Sequence, residues 1–401
     1  MFRSLFTTLR HGDAAPLLLL VLLWSSFLVL IGIVIEVTIP EFPNPNIASP
    51  VVDFGWLNHT YGWDSGWYMG IILENYHSSP FSPSFFPVFP YSVVALHSIL
   101  HGLINYGLAG LIVNTVSTWL AVVALFKTSK LLLQSASRYV HWVVVSLFLF
   151  SPAGFFLHVF YSEAIFCAIA FWAYYFALRR QWLYTALLLA ILTATRVTAI
   201  LFIVLCSLEF CRAYNWQIRK ILNKNILWFA LAPLGIIAYA FLLNQQRGSY
   251  VAMVHSYSAW TYHIFNLNFI GTYLDAISVL FMGVFLSTTP YSPHELFVNF
   301  GLPVIALSVL LFASLGAIFK VKKWGIPLGI FGLLSFAMFT LNSNVNSVHR
   351  YILTCLVIYI IVGYYLQRHK QLIYPVAFIL LCGFGLQIIL YTLFIKGYFA
   401  G

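Results

Sequence analysis

A polar, aromatic and proline-rich stretch over residues 63–91 interrupts a chain that is otherwise strongly apolar. It contains Asp64, one of only ten acidic residues, beside Trp63, Trp67 and Tyr68. A carboxylate can accept the proton of an attacking hydroxyl group, and aromatic rings offer large apolar faces to a substrate. The residue types therefore predict a place where a sugar is handled at a membrane surface.

The overall composition indicates what kind of protein carries this stretch. Of 401 residues, 62% are hydrophobic and only 7% are charged, and the mean hydropathy is +0.92. Because a soluble domain carries about 25% charged residues, we predict an all-α polytopic membrane protein that forms one integral domain over residues 1–401. The net charge of +10 lies in short clusters between apolar runs, as in cytoplasmic loops, so no nucleic acid is expected as a partner.

The cysteines and histidines do not predict a metal or disulfide framework. The five cysteines fall within or at the ends of apolar runs, and their spacing fits neither a disulfide pattern nor a zinc site. The isolated histidines are interpreted as packed or interfacial, since no carboxylate accompanies the His-x-x-x-His spacing of His97 and His101. These are His97, His101, His141 and His158. We expect no metal and no cofactor.

The first apolar run and its flanking charges predict the orientation of the chain. Arg3 and Arg10 precede an apolar run over residues 16–39, which is long enough to be a retained first span with a cytoplasmic N-terminus. No lysine or arginine occurs over residues 11–126. The loop over residues 40–102 is therefore predicted to lie on the non-cytoplasmic side, and we interpret it as the catalytic loop.

The remaining spans are predicted by placing the basic clusters on the cytoplasmic side and counting the apolar runs between them. The run Val88–Leu100 is too short to cross a bilayer, so we predict a re-entrant or interfacial helix, and Leu103–Phe126 crosses to the basic residues after it. Continuing in this way gives about eleven spans and an outward-facing hairpin tip at Thr195 and Arg196. A second outer loop is predicted over residues 244–299, with a further re-entrant or interfacial apolar run.

Few ionisable residues remain once the cytoplasmic clusters are assigned, and most are predicted on or near the outer face. A charge within hydrocarbon costs about 2.5–3.5 kcal/mol on insertion scales, so such residues normally face a cavity or a partner. The candidates are Asp64, Glu74, Glu163, Arg196, Arg247, His255, His263, His349 and Arg350.

Each main candidate also has a purely structural interpretation. Asp64 could cap a helix predicted over residues 65–73, and Glu163 could compensate the partial positive charge of a helix N-terminus. Arg196 could simply neutralise Glu163. Arg350, with the histidine before it, could be an interfacial anchor whose side chain extends toward the headgroups. The aromatic outer loops could equally form an interfacial belt.

Several motifs resemble the PIG-V-like mannosyltransferases, that is, GPI mannosyltransferase 2 and its prokaryotic relatives. In the first loop the matching residues are Trp63-Asp64, Trp67-Tyr68, Asn75-Tyr76 and Ser84-Phe85-Phe86-Pro87-Val88-Phe89-Pro90. Further along they are Ser151-Pro152-Ala153, Phe160-Tyr161-Ser162-Glu163-Ala164, Thr195-Arg196 and Arg350-Tyr351. The order and spacing agree over most of the chain. Asn75 departs from the family, which usually has glycine there.

This resemblance implies a GT-C glycosyltransferase that uses a polyprenyl- or dolichyl-phosphate sugar, usually mannose, on the non-cytoplasmic face. The acceptor would be a glycolipid or a glycan, and membrane lipids would surround the enzyme. The resemblance also implies that Asp64 is the catalytic base. The membrane would be the plasma membrane in a prokaryote and the endoplasmic reticulum in a eukaryote.

The other candidate residues fit the same chemistry. Transfer from a lipid phosphate needs cations that bind the phosphate as it leaves, and arginines supply them without a divalent ion. We expect Arg196 and Arg350 to bind this phosphate, with Arg247 behind them. The expected substrate contacts are Trp63, Trp67, Tyr68, Phe86, Tyr161 and Glu163. Glu163 would orient Arg196 or bind a sugar hydroxyl.

Two functions of other classes remain open. The chain could be a transporter or lipid flippase, or a catalytically inactive subunit of a glycosylation complex. Transporters tend to have two related halves with broken helices at corresponding positions. Here the unusual loop occurs once, near the N-terminus, which favours the enzyme.

Overall fold

The structure is a computed structural model that describes residues 12–40, 54–261, 267–321, 324–341 and 344–401. These ranges contain helices, turns and irregular segments and no β-strand. Arg3, Arg10, His263 and parts of both predicted outer loops lie outside the described residues.

The α-helices of the described ranges are numbered here in chain order. They are α1 (Ala14–Thr38), α2 (Ser65–Glu74), α3 (Val88–Ile99), α4 (Tyr106–Leu132), α5 (Arg138–Leu149), α6 (Glu163–Leu178), α7 (Trp182–Thr193), α8 (Ala199–Ala213), α9 (Ile218–Ile221), α10 (Leu234–Arg247), α11 (Ala252–Thr261), α12 (Phe269–Phe281), α13 (Pro293–Leu296), α14 (Leu302–Lys320), α15 (Gly325–Thr340), α16 (Val348–Tyr351), α17 (Leu356–Leu366) and α18 (Ile373–Ile395).

Short 3₁₀ and π segments join or extend several of these helices. The 3₁₀ segments are Gly55–Thr60, Asn75–His77, Ser82–Ser84, Gly154–Leu157, Lys224–Leu231, Ile352–Thr354 and Lys370–Leu372. The π segments are Met282–Leu286 and Phe297–Gly301.

Six helical stretches of the described chain are long and apolar enough to cross a membrane. They are Ala14–Thr38, Tyr106–Leu132, Lys224–Arg247, Phe269–Leu286, Pro293–Lys320 and Lys370–Ile395. A seventh forms if Val348–Thr354 and Leu356–Leu366, which meet at 66°, count as one broken span. Five further apolar helices have 10–17 residues: α3, α5, α6, α7 and α15. The predicted all-helical, polytopic class is confirmed, and the number of eleven spans stays a prediction.

Helix α1 shows why so apolar a chain can fold. Leu17, Val21 and Leu28 are spaced by whole helical turns and are buried against the core. Leu23 and Leu30 on another face remain 61% and 64% exposed. Water would penalise such exposed leucines, whereas lipid tails would not. The helix therefore packs through one stripe and presents the rest to the bilayer.

Helices α4 and α6 lie at the centre of the core and hold the segment between α5 and α6 in place. Gly110 allows α4 to pack closely against the Phe160 ring, because a Cβ at this position would lie 2.4 Å from that ring. Asn114 donates through Nδ2 to the Val159 carbonyl oxygen, and Thr118 donates through Oγ1 to that of Leu157 at 3.1 Å. These bonds fix the irregular backbone that leads into Glu163, the first residue of α6.

The first loop folds back onto this centre. The Thr60 carbonyl accepts from the Phe160 amide at 2.9 Å, and the Tyr239 hydroxyl donates to the Pro83 carbonyl at 2.8 Å. Helix α3 has 12 residues and is therefore about 18 Å long, which is shorter than a hydrocarbon core of about 30 Å. Its length agrees with the prediction of a helix that does not span, and its placement in a membrane stays a prediction.

Candidate functional site

Four distant segments bring two acids and two arginines together. Asp64 precedes α2, Glu163 opens α6, Arg196 lies in the turn between α7 and α8, and Arg350 lies in α16. The backbone bends sharply before Asp64, since Trp63 has a left-handed φ of 51°. The Asp64 amide then donates to the Tyr161 hydroxyl at 3.0 Å, which joins the first loop to the entrance of α6.

Glu163 is the centre of this charge network. Its Oε1 atom lies 2.7 Å from Arg196 Nη1 and 3.2 Å from Arg350 Nε, and its side chain is 3% exposed. The contact between Glu163 and Arg196, which the sequence raised as one alternative, is present, and the same carboxylate also lies close to Arg350. Its second oxygen, Oε2, is buried without a hydrogen-bond partner among the described residues.

Asp64 is the most exposed member of the network. Its Oδ2 accepts from Arg350 Nη1 at 2.9 Å, and its side chain is 29% exposed against 6% for Arg350. Asp64 occupies the N-cap position of α2, but its side chain makes no capping hydrogen bond. The interpretation of Asp64 as a side-chain helix cap is therefore wrong, and its carboxylate is the more exposed of the two in the network.

Arg350 is enclosed by aromatic rings. Its guanidinium carbon lies 5.2 Å from the Phe156 ring centre, 5.3 Å from that of Tyr161 and 5.2 Å from that of Tyr351. Nη1 also donates to the Gly401 carbonyl at 3.2 Å. Because the residue is only 5% exposed, the interpretation of Arg350 as an anchor extending toward headgroups is wrong.

Arg196 connects the network to the hydroxyl groups of the first loop. Its Nη1 donates to Ser162 Oγ at 3.1 Å, and that oxygen lies 2.7 Å from the Tyr68 hydroxyl. Burial alone would lower the pKa of Arg196, but the adjacent Glu163 carboxylate raises it above its ordinary value. Burial raises the pKa of the Tyr68 and Tyr161 hydroxyls, so both stay protonated at neutral pH.

The charges of this cluster balance, because two guanidinium groups face two carboxylates. Buried charges persist only when paired, and removing one partner leaves a costly unpaired ion. The arrangement can do two things chemically. The arginines can hold an anionic group, and the partly exposed Asp64 carboxylate can accept a proton.

Not every predicted residue joins the cluster. Arg247 donates through Nη1 to the Tyr76 carbonyl at 3.0 Å, and Phe86 is buried with its ring 5.0 Å from that of Tyr239. Phe86 belongs to a separate apolar cluster with Tyr76, Tyr239 and Leu243, and Arg247 contacts that cluster through Tyr76. Their roles in binding substrate stay predictions that the network does not include.

The predicted aromatic residues flank the network. The Trp67 ring stacks on Phe85 at 5.8 Å and 16° between planes, and the Trp63 ring meets Phe399 edge-on at 5.4 Å. The Trp63 Nε1 donor is buried without a hydrogen-bond partner in the described part of the chain. A bound molecule could use that donor.

Sequence reasoning gave no role to several residues that shape the cluster. Ser162 and Tyr351 lie in the motifs that contain Glu163 and Arg350, so their positions could have been predicted from the sequence. Those of Phe156 and the Gly401 carbonyl could not, because nothing in their local sequence marks contact with an arginine.

A metal site is not evident among the described residues, where no group of three or more His, Cys, Asp and Glu side chains is close enough to hold an ion. Both acids of the network are already paired with arginines. The expectation of a metal-free reaction stays a prediction.

Comparison with known proteins gives no family. No family model matches the sequence, and no curated protein sequence matches it. Among solved structures, the chain is similar to the archaeal oligosaccharyltransferase AglB from Archaeoglobus fulgidus, in complex with an inhibitory peptide and a dolichol-phosphate. The TM-score is 0.49 with 14% sequence identity, and the match covers 94% of this chain and 56% of that one. A likeness at this level carries no argument about function.

Proposed function

We propose that the protein is a membrane glycosyltransferase of the GT-C type and the PIG-V-like kind. It moves a mannosyl or related hexosyl unit from a polyprenyl- or dolichyl-phosphate to a lipid- or glycan-linked acceptor on the non-cytoplasmic face. The observation that carries the proposal is the contact of Arg350 with Asp64, two residues 286 positions apart in sequence. Because Arg350 also lies close to Glu163, this contact joins Asp64 of the first loop to the buried pair of Glu163 and Arg196.

The arginines supply the donor site. A phosphate diester has oxygens that accept charge-assisted hydrogen bonds from Arg196 and Arg350. Negative charge grows on this phosphate as the bond to the sugar breaks, and guanidinium groups already fixed by Glu163 stabilise it without reorganising.

Asp64 supplies the base. The acceptor hydroxyl gives its proton to the Asp64 carboxylate while its oxygen attacks the anomeric carbon of the sugar. The bond from that carbon to the phosphate oxygen breaks on the opposite side, the phosphate leaves with the electron pair, and the configuration inverts. Arg350 Nη1 donates a hydrogen bond to Asp64 Oδ2. When the donor phosphate takes over this arginine, the carboxylate becomes free to accept the proton.

Two unsatisfied polar atoms support binding of a polyhydroxylated group here. Glu163 Oε2 can accept and Trp63 Nε1 can donate, and neither has a partner among the described residues. Buried polar atoms without partners are costly and usually find one in a ligand or water. Sugar hydroxyls both donate and accept, so they match this pair.

The test uses purified protein in lipid nanodiscs with radiolabelled polyprenyl-phosphate mannose and a lipid extract as acceptor. We expect transfer by the unmodified protein and a loss of about 100-fold or more in Asp64→Asn, the range expected for removing a general base. Asp275→Asn is the matched control, since Asp275 is exposed in α12. Equal transfer by Asp64→Asn and Asp275→Asn would contradict the assignment of the base.

A further inference from the structure

A second candidate site lies at the far ends of the helices that carry the first one. Helix α6 begins at Glu163 and has 16 residues, so its other end is about 24 Å away. Just beyond that end is a cleft of about 340 Å³. The lining residues used below are Arg180, Gln181, Tyr184, Tyr214, Asn225 and Trp228.

The lining of this cleft is rich in hydrogen-bond donors. Arg180 brings a guanidinium, Gln181 and Asn225 bring amides, and Tyr184 and Tyr214 bring hydroxyls. Asn225 donates through Nδ2 to the Tyr214 hydroxyl oxygen at 3.1 Å, so the Tyr214 proton can point to another acceptor. No carboxylate is among the described residues that line the cleft. Such a set matches the oxygens of a phosphate group.

The surrounding sequence is strongly basic. The cations at this end of the molecule are Arg179, Arg180, Arg212, Arg219, Lys220 and Lys224. Glu209 is the only acid over residues 179–228, and it is 1% exposed and hydrogen-bonded to Arg212. The local field therefore favours an anion.

Exposed apolar residues place the cleft beside lipid. Ile218, Leu222 and Leu227 are 73%, 70% and 71% exposed, and Trp228 at the cleft is 39% exposed. Apolar and aromatic residues interleaved with lysines and arginines are typical of segments that lie in the membrane interface. The cleft then opens at the level of the phospholipid headgroups.

The turns at the cleft are the C-terminal ends of α6 and α8. Arg180, Asn215 and Trp216 have left-handed φ angles of 57°, 55° and 60°. The Gln181 amide donates to the Phe176 carbonyl and the Trp216 amide to the Cys211 carbonyl, both at 2.9 Å, so these turns are hydrogen-bonded helix endings that fix the position of the cleft walls. Trp182 packs on Phe210 with ring centres 4.7 Å apart and gives the cleft a rigid floor.

We propose that this cleft binds the phosphate group of an anionic phospholipid, in the leaflet opposite the Asp64 site. The arginine, amides and hydroxyls contact the phosphate, and the acyl chains lie along Ile218 and Leu222. This proposal is independent of the glycosyltransferase proposal, because it uses none of the same residues.

The test is native mass spectrometry of the full chain released from nanodiscs that contain equal amounts of phosphatidylglycerol and phosphatidylcholine. We expect the protein to retain phosphatidylglycerol preferentially, and Arg180→Gln to reduce this retention about tenfold, as for loss of a charged hydrogen bond. Arg368→Gln is the matched control, because Arg368 is also exposed at a helix end but lies over the Tyr364 ring at 4.3 Å, outside the cleft. It should retain the lipid as the unmodified protein does.

Arg180→Gly keeps the test decisive if Arg180→Gln folds poorly. Glycine suits a φ of 57°, so this variant should be at least as heat-stable as the unmodified protein and still lose the lipid. Equal retention of the two lipids, or full retention by both Arg180 variants, would overturn the proposal. Binding of inorganic phosphate without retention of phosphatidylglycerol would also overturn it, since the cleft would then bind a free anion and not a lipid.

Discussion

In the described part of the chain, Asp13 and Glu163 each lie close to two cationic side chains, and the two clusters differ in burial rather than in distance. In one, Asp13 lies 3.0 Å from Lys130 and 2.9 Å from Arg138, whose side chains are 52% and 66% exposed. In the other, Glu163 lies 2.7 Å from Arg196 and 3.2 Å from Arg350, whose side chains are 18% and 6% exposed. Proximity alone therefore says little about what a cluster does.

Solvent explains the difference. Water and salt screen the exposed triad, so each of its pairs is worth at most about 1 kcal/mol. The buried network costs desolvation, and apolar residues of similar volume could fill its place without that cost. The four buried charges are therefore the ones to which we assign the proposed chemistry, whereas we interpret the Asp13 triad as an ordinary surface contact.

The change with the largest expected effect is Arg350→Gln. It leaves Asp64 and the buried Glu163 without one cation, and it removes a donor from the proposed phosphate site. We expect sugar transfer to fall by about 100- to 1000-fold and the free energy of unfolding to fall by about 3–5 kcal/mol. Transfer assays and thermal melting in the same nanodiscs measure both. Transfer within a few-fold of the unmodified rate would place Arg350 outside the chemistry.

The next change, Glu163→Gln, separates a functional buried pair from a merely structural one. The glutamine fits the same space but cannot hold two guanidinium groups by charge, so we expect the KM for the lipid-phosphate donor to rise about tenfold. The matched control is Glu209→Gln, because Glu209 is equally buried and bonded to Arg212. Both variants should lose stability, and only Glu163→Gln should change donor KM. The same KM in both would show that the Glu163 pair is structural.

A third prediction concerns a buried titratable group outside both clusters. Burial lowers the pKa of His59 from 6.5 to about 4 in the folded protein. Between these pH values the unfolded chain therefore binds a proton more readily than the folded protein does. The resulting stabilisation is fully present above pH 6.5 and is lost as the pH falls toward 4, which lowers the free energy of unfolding by up to about 3 kcal/mol. Melting temperatures at pH 7.5 and 5 measure this loss. His59→Asn should melt with a smaller pH dependence, and an unchanged dependence would contradict the assignment.

The smallest effects are expected in the exposed triad. Arg138→Gln removes one of the two partners of Asp13, and we expect a loss of at most about 1 kcal/mol that disappears at high salt, with sugar transfer unchanged. Melting at low and high ionic strength checks it. A loss as large as that of Arg350→Gln would erase the contrast between the two clusters.

Composition and charge position predicted much of this molecule, because they depend on local physical chemistry. Long apolar runs imply helices in lipid. Ionisable residues that lie outside the cytoplasmic clusters then need partners. On that basis the sequence predicts that Asp64, Glu163, Arg196 and Arg350 have functional or charged partners.

The sequence could not predict which of these residues would touch. The bond from Arg350 to Asp64 joins positions 286 residues apart, and no periodicity encodes such a pairing. Arg247 has the same charge and the same predicted side of the membrane as Arg196 and Arg350, yet it does not join them. Its guanidinium donates to the carbonyl of Tyr76, which belongs to another cluster. Helix α6 is apolar and has 16 residues, and its composition alone does not distinguish a span from a helix buried in the core.

The most direct test of the central claim is to measure donor binding and sugar transfer on one preparation of Asp64→Asn. The variant keeps the arginines that we propose bind the phosphate, so we expect polyprenyl-phosphate mannose to bind about as tightly as to the unmodified protein, with transfer at least about 100-fold slower. Transfer at the unmodified rate with normal binding would contradict the claim that Asp64 is the base.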